Sequence, residues 1–136
     1  MEKPAIRNRR AIIVLGMHRS GTSALTGVLN LVGVNLGENL LPPKSDNPAG
    51  FWEHRDLVQI HEKLLQALNS SWDDVRALPE GWWNSETTQK HTLEILNILK
   101  RDFADSSFWG VKDPRICRFL PIWLPLLEQT GSKPYF

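Results

Sequence analysis

Apolar residues occur along this chain in short continuous runs that alternate with longer stretches of helical spacing. The first run, residues 11–15, contains three β-branched residues and ends at Gly16, which predicts a buried strand that leads into a turn. Apolar residues then recur near helical spacing across 24–32, with Thr22 and Ser23 in the expected first turn. The pattern therefore begins with a strand, a polar loop and a helix.

The same alternation continues further along the chain. An apolar stripe across residues 57–68 predicts a helix that follows Glu53. Residues 86–103 are predicted to form another helix, with Ser85 available as its N-cap. The run at 108–111 then predicts a second buried strand.

A last helix and the beginning of a strand complete the pattern. Residues 116–129 are predicted to be helical, with Pro121 in the first turn and Gly131 as the C-cap. Pro125 lies inside this segment, so the sequence predicts a kink or a break there. Residues 132–136 predict the start of a third strand.

Alternating strands and helices indicate an α/β fold with a parallel sheet flanked by helices. A chain of 136 residues with 41% hydrophobic residues and six tryptophans permits one domain with a modest core. We expect residues 1–136 to be the N-terminal part of a single P-loop-like domain, truncated after the start of its third strand.

Two segments lack a regular pattern. Residues 38–51 contain Pro-Pro and Asn-Pro-Ala-Gly sequences, which exclude regular structure, and long loops of this kind are usually lids or binding segments. We therefore expect residues 38–51 to border the functional site. Residues 70–85 are interpreted as a loop or a short helical insertion whose aromatics anchor it, with stacking on a flat acceptor as the alternative. Asp73 and Asp74 lack further ligands at metal-binding spacing.

The loop between the first strand and the first helix has the composition of a phosphate cradle. Glycines let the backbone approach an oxyanion closely, and the N–H groups at a helix N-terminus attract negative charge. Gly16, Gly21 and Ser23 fit the frame of the nucleotide-triphosphate loop GxxxxGK[ST]. Thr22, however, stands at the position of its lysine. Arg19 supplies the fixed positive charge instead, and its planar fork can hold a phosphate or a sulfonate through two hydrogen bonds.

Two motifs resemble those of the sulfotransferases, enzymes that use 3'-phosphoadenosine-5'-phosphosulfate (PAPS) as sulfonyl donor. A hydrophobic strand followed by His-Arg-Ser-Gly-Thr-Ser at 18–23 is similar to their 5'-phosphosulfate loop. Val-Lys-Asp-Pro-Arg at 111–115 is similar to the lysine-bearing segment that they bring beside that loop. The resemblance spans about 12–121. It implies transfer from PAPS without a metal, with a donor loop at 16–24 that binds through Gly16, His18, Arg19, Ser20, Gly21, Thr22 and Ser23.

Sulfonyl transfer to a hydroxyl needs a base, and aromatic neighbours can raise the pKa of a carboxyl group toward a useful value. Glu53 lies between Trp52 and His54, and the resemblance implies that it is this base. A glutamate that only interacts with the helix dipole is the alternative. His54 is the reserve candidate. The resemblance also implies that Lys112 contacts the sulfonyl and bridging oxygens, with Arg19 as the second catalytic cation.

Other polar residues near these motifs have less specific interpretations. Some sulfotransferases carry a catalytic histidine two residues after the lysine, where this chain has Pro114. Asp113 is expected to orient one of the two cations or to cap the following turn. Arg115 is expected to contact a substrate or to form a surface ion pair. The remaining expectations are a phosphate contact or local packing for His18, surface or partly buried positions for His61 and His91, and a small core position for Cys117.

The resemblance also limits what this chain is expected to do. In sulfotransferases the groups that bind the 3'-phosphate and the adenine follow the third strand, so we expect these sites to be absent and the fragment to be inactive. A P-loop kinase of small metabolites and a non-catalytic nucleotide-binding module are the alternatives. The acceptor, a small molecule or carbohydrate with a hydroxyl or an amine, is not identified, and neither is the oligomeric state.

Charge and composition exclude several other classes. A net charge of +1 gives no general attraction to nucleic acid, and the cluster Arg7, Arg9 and Arg10 is interpreted as a solvated surface before the first strand. The single cysteine allows no internal disulfide and indicates a reducing compartment. No apolar run approaches membrane-spanning length, so a cytoplasmic location is expected.

Overall fold

The structure, a computed structural model, describes residues 8–136 as a three-stranded sheet with helices around it. In chain order the elements are β1 (Arg9–Val14), α1 (Thr22–Leu31), α2 (Arg55–Ala67), α3 (Glu86–Phe103), β2 (Phe108–Lys112), α4 (Ile116–Gln129) and β3 (Ser132–Tyr135), with a 3-10 turn at Trp82–Asn84. The predicted α/β alternation is confirmed. Arg7, part of the predicted basic cluster, lies outside the described residues.

All three strands are parallel, in the order β2-β1-β3. The register pairs Val14 with Lys112 and Ile12 with Tyr135. The loop after β1 and the segment after β2 therefore leave the sheet side by side at its carboxyl edge. In open α/β sheets this edge is where ligands bind.

The hydrophobic core lies between one face of this sheet and helices α2, α3 and α4. Trp109 and Val111 of β2 are buried in it, and the Trp109 ring stacks on Phe103 at a centroid distance of 4.8 Å. Because side chains alternate along a strand, Lys112 points to the opposite face. There its Nζ lies 3.2 Å from Ser23 Oγ of α1.

The ends of the long helices follow the predicted caps. Helix α3 begins after Ser85, whose Oγ accepts a hydrogen bond from the Thr88 N–H at 3.1 Å. Helix α4 is followed by Gly131, with φ 67° and an N–H that donates to the Glu128 carbonyl oxygen at 2.9 Å. The N-cap at Ser85 is confirmed, whereas the C-cap of α4 is Thr130 and the predicted Gly131 is the left-handed residue directly after it.

The expected positions of Pro121 and Cys117 are wrong, and α4 is not broken at Pro125. The helix begins at Ile116, so Pro121 lies beyond the first turn, and the helix continues through Pro125 without a break. Cys117, expected in the core, is exposed. Cys117, Pro121 and Pro125 are four residues apart on the exposed face, where water can bond the carbonyl groups that proline leaves without a helical partner.

The segment before α2 is irregular, as predicted. Residues 38–51 contain only isolated bridges, among them Lys44 with Asn47. Helix α2 begins at Arg55, after an extended N-cap at His54. Within residues 8–136, none of the helices has both the length and the apolar character that a membrane crossing requires.

Candidate functional site

The loop after β1 folds tightly onto the start of α1. At Gly16 an added Cβ would lie 2.6 Å from Thr22 Cγ2, so a larger residue does not fit without movement. Gly21 has φ 85°, in the left-handed region that glycine adopts readily. The Ser20 hydroxyl donates to the Met17 carbonyl oxygen at 2.6 Å and closes the turn. Glycine is thus required at the two positions for different reasons: Gly16 lacks room for a side chain, and Gly21 has a left-handed backbone conformation.

The first turn of α1 presents its backbone N–H groups to this loop. The helix begins at Thr22, and among the described residues no side chain caps it and no acidic residue occupies its first turn. Such N–H groups lack helical partners and carry partial positive charge. The loop and the helix end together form a cradle suited to an anion.

Lys112 and Glu53 form a buried ion pair beside this cradle. Lys112 Nζ lies 2.5 Å from Glu53 Oε1 and also donates to Ser23 Oγ at 3.2 Å. The two residues are only 3% and 5% exposed, so the pair is largely removed from water. The strand register explains its position, because Lys112 is aligned with Val14, the last residue of β1.

The environment of Glu53 shifts its protonation toward the neutral form. Burial raises the pKa of the Glu53 carboxyl group, and the hydrogen bond from Lys112 opposes that rise only in part. The sequence attributed such a rise to aromatic neighbours, and in the structure burial as a whole is its largest cause. A carboxyl group with a raised pKa is closer to what a general base at neutral pH requires.

Arg115 is a third cation beside the pair. Its side chain is largely buried, donates through Nη1 to Asp113 Oδ1 at 2.9 Å and contacts Glu62 through Nε. Nη1 also lies 3.9 Å from Glu53 Oε2. Burial alone would lower the pKa of Arg115, but Asp113 and Glu62 outweigh it and raise the pKa. Arg115 is therefore held inside the site and not in a surface ion pair.

These groups line one open cavity of about 920 Å³. Arg19, Lys112 and Arg115 contribute to its wall, together with Glu53. The irregular loop borders the cavity, as expected, and contributes residues 44, 46–47 and 49–52 to its wall. The remaining lining residues are the loop and helix residues His18, Gly21, Thr22, Ser23, Ala24, Gly27, Val28 and Leu31, with Trp72.

Two residues of the cavity have a backbone conformation that is unusual for their type. Arg19 and Trp52 both have φ 59°, in the left-handed region that costs a non-glycine residue about 1–2 kcal/mol. Strained residues of this kind cluster at functional sites. These two strained positions place the side chains of Arg19 and Trp52 at the wall of the same cavity.

The histidines near the loop are arranged differently from one another. His18 packs against Trp72, at a ring-centroid distance of 4.6 Å, and lines the cavity. Its Nδ1 is buried and has no hydrogen-bond partner within residues 8–136. Burial, followed by the charge of Arg115, lowers the pKa of His18. His54, the reserve base, is buried away from the lining residues and contacts Asp102 at 2.8 Å.

Behind the cavity wall the expectation for His61 is wrong, and of the two alternatives for Asp113 the cap of the following turn is confirmed. His61 is fully buried, not a surface residue, with Nδ1 2.7 Å from Asp113 Oδ2. Asp113 binds His61 and Arg115, not Arg19 or Lys112, and it caps the following turn through the Arg115 N–H at 3.0 Å. His61 lies one residue after Ile60 in the apolar stripe of α2, and this position was the available sequence signal for its burial.

No protein-family model, curated protein or solved structure matches this chain. Within residues 8–136 there is also no group of three or more His, Cys, Asp or Glu residues arranged to hold a metal ion. The features of the site that bear on function are the cradle, the buried Lys112–Glu53 pair and the three cations Arg19, Lys112 and Arg115.

Proposed function

We propose that this chain is the donor-binding part of a PAPS-dependent sulfotransferase, which transfers a sulfonyl group to a hydroxyl or amine acceptor. The observation that carries the proposal is the buried Lys112–Glu53 pair at the wall of the cavity that the glycine loop and Arg19 also line. An anion cradle, a base with a raised pKa and converging cations are what such a transfer needs.

The described residues fit a phosphosulfate group. The first-turn amides of α1 and the hydroxyls of Thr22 and Ser23 would bind its oxygens, and Arg19 offers a planar fork. His18 also lines this wall. Arg19, Lys112 and Arg115 line one cavity, and positive charges gathered at one wall favour a ligand of high negative charge.

In the proposed reaction Glu53 accepts the proton of the acceptor hydroxyl. The acceptor oxygen forms the new bond to sulfur while the bond from sulfur to the bridging phosphate oxygen breaks, and adenosine 3',5'-bisphosphate leaves. Lys112 and Arg19 stabilise the negative charge on the sulfonyl and leaving oxygens. Because Lys112 is paired with Glu53 beforehand, moving its charge toward the donor would free Glu53 to act as base.

The kinase alternative is less well supported by the site. A kinase of the P-loop type needs a loop lysine and a carboxylate that binds magnesium. Thr22 occupies the lysine position, and both oxygens of Asp113 after β2 are already bonded to His61 and Arg115. A non-catalytic module would be favoured by a Glu53 that points into solvent far from Arg19, whereas Glu53 is buried and lines the same cavity as Arg19.

Parallel titrations separate these possibilities. The chain is titrated with PAPS, with ATP and magnesium, and with sodium sulfate, and binding is followed by calorimetry and by the backbone amide signals of residues 16–24. We expect PAPS to bind without added metal and to shift these signals, and ATP not to bind in a magnesium-dependent way. Magnesium-dependent ATP binding would support the kinase instead, and no response to PAPS would refute the proposal.

A matched pair of variants locates the binding. Arg19→Ala should weaken PAPS binding at least tenfold, because the charged hydrogen bonds of the fork contribute roughly 1.5–3 kcal/mol each. Arg10→Ala removes the same charge from β1, where the guanidinium stacks on Phe108 at 4.6 Å, and should leave binding within about twofold. Equal effects of the two substitutions would show that only net charge matters.

A further inference from the structure

A chain of buried polar groups runs behind the cavity wall from α4 to Arg115. Trp123 Nε1 lies 3.0 Å from His61 Nε2, and His61 Nδ1 lies 2.7 Å from Asp113 Oδ2. Trp123 and His61 are fully buried and Asp113 is 1% exposed. None of these three residues lines the cavity, and the mechanism proposed above does not use them.

The partners fix the proton positions along this chain. The indole N–H of Trp123 can only donate, so His61 Nε2 must be the unprotonated acceptor. His61 Nδ1 therefore carries the proton and donates it to Asp113 Oδ2. His61 is neutral, both of its ring nitrogens are bonded, and Asp113 acts only as an acceptor.

The second oxygen of Asp113 holds Arg115. Oδ1 accepts from the Arg115 N–H at 3.0 Å and from Nη1 at 2.9 Å, while Glu62 contacts Nε on the other side of the fork. The guanidinium is therefore fixed from two sides, with Nη1 directed to within 3.9 Å of Glu53 Oε2. Since His61 occupies Oδ2, Asp113 presents Oδ1 to Arg115.

Stability alone gives a poor reason for this arrangement. A buried ionic network often contributes no more than well-packed apolar residues of the same volume, because each charge must lose its water. Polar side chains from α4, α2 and the segment after β2 form a chain in which only the last, Asp113, contacts an arginine of the cavity wall. The network instead fixes the orientation of the Arg115 guanidinium.

We propose that His61 is a positioning residue that acts through Asp113 to hold Arg115 as a third anion-binding cation of the cavity. This inference rests on the proposed function, because its ligand is the phosphosulfate group of PAPS. A guanidinium that is already fixed loses less conformational entropy when it binds an anion. His61 contributes in this way without touching the ligand.

Two substitutions of similar polarity test the role of His61. In His61→Asn the side-chain amide nitrogen takes the place of Nδ1 and can still donate to Asp113. In His61→Gln the amide reaches the place of Nε2, and the bond to Asp113 is lost. With PAPS as the titrant, we expect H61Q to bind roughly tenfold more weakly than H61N, a coupling of ordinary size for neighbours in one network.

The same pair is then compared in an Arg115→Ala background. If His61 acts through Arg115, the tenfold difference between H61Q and H61N should fall to about twofold or less there. If H61Q only damaged the core in general, the difference in PAPS affinity between H61Q and H61N would be the same with Arg115 and in R115A. The Nε–H resonance of Arg115 gives an independent readout and should broaden or shift in H61Q but not in H61N.

The outcomes separate this inference from the proposed function. If the unsubstituted chain does not bind PAPS, the proposed function is refuted and this inference with it. If it binds, and H61Q and H61N bind equally or keep their difference without Arg115, the positioning role alone is refuted. Should H61Q fail to fold, Trp123→Phe replaces it: loss of the indole donor should weaken PAPS binding with Arg115 present and not in R115A.

Discussion

The buried Lys112–Glu53 pair gives a direct test at the scale of one residue, because Lys112 influences the protonation of Glu53. Burial raises the pKa of Glu53, and Lys112 opposes this through a hydrogen bond and its charge. Lys112→Met should therefore raise the pKa of Glu53 further. The side-chain carboxyl carbon signal of Glu53, followed by NMR across a pH titration, measures this.

Lys63→Met is the control for that titration. Lys63 is exposed on α2, so its removal changes the net charge equally without removing a partner of Glu53. The pKa of Glu53 should stay within a few tenths of its original value in this variant, since exposed charges are screened by salt. A fall in the pKa in K112M, or the same rise in both variants, would contradict the assignment of Lys112 as the charge that Glu53 senses.

Asp113 provides a second prediction for a single side chain. Burial by itself would raise the pKa of Asp113, but hydrogen bonds from His61 and Arg115 outweigh it and hold the pKa well below its usual range. Asp113→Asn should lower the free energy of unfolding by about 3 kcal/mol at pH 7, because it breaks a buried ionic network. Urea denaturation measures the difference.

The pH dependence of this loss follows from the sign of the shift. Because folding depresses the pKa of Asp113, its stabilisation is fully present above the unfolded value of about 3.9 and is lost as the pH falls toward the folded value. The gap between the wild type and D113N should therefore be smaller at pH 3 than at pH 7. Asp73→Asn, at an exposed position, should cost less than about 0.5 kcal/mol at either pH.

The sequence predicted the position of site residues that belong to a motif at the sheet edge. It did not predict contacts that arise only when distant helices pack together. The loop residues and Lys112 share a cavity because parallel strands end at the same sheet edge, which the alternation already implied. The partner of Asp113 is 52 positions away on α2, and only the packing of that helix brings His61 to it. His54 and Glu53 are adjacent in the chain yet face different surroundings, so proximity in sequence was a poor guide to a reserve base.

Among the elements, helices with clear caps were the most predictable. The bounds of α3 and α4 agree with the sequence pattern because Ser85 and Gly131 satisfy the groups that a helix end leaves free. Pro125 does not break α4 as predicted, because the cost of a proline inside a helix depends on whether water can reach the carbonyl group that it frees. That depends on which face the helix buries, a property of the tertiary structure.

The cap of α3 can be tested on its own. Ser85→Ala removes the acceptor for the Thr88 N–H and should lower the free energy of unfolding by about 1 kcal/mol. Ser85→Asp keeps an acceptor at this position and adds a charge that the helix dipole favours, so it should be neutral or slightly stabilising. Chemical denaturation of both variants measures the effect, and equal stabilities of S85A and S85D would show that the hydrogen bond contributes nothing.

For the molecule as a whole, one arginine of the basic cluster, Arg9 at the start of β1, has a structural role. The sequence interpretation was a solvated surface, but Arg9 is half-buried and connects β1 to the ends of two helices. Its guanidinium donates to the carbonyl oxygens of Phe103 at 2.6 Å, Thr130 at 2.5 Å and Ser106 at 3.1 Å. Burial lowers the pKa of Arg9, although an arginine remains charged at neutral pH.

Arg9 thus joins three parts of the fold that are far apart in the chain. Arg9→Lys keeps the charge but replaces a fork of five donors by a single ammonium group, which cannot reach all three carbonyl groups. Since a hydrogen bond to a charged group contributes roughly 1.5–3 kcal/mol, R9K should lower the free energy of unfolding by about 2 kcal/mol.

Arg10→Lys is the matched control, because Arg10 is exposed and its guanidinium only stacks on the Phe108 ring. An exposed stacking contact of this kind contributes about 0.5–1 kcal/mol, so R10K should cost clearly less than R9K. Hydrogen exchange adds the location of the effect: in R9K the amides of the last turns of α3 and α4 should lose protection first, because their carbonyl ends lose a common partner. Equal stability losses in the two variants, without local loss of protection, would mean that Arg9 does not tie the helix ends to the sheet.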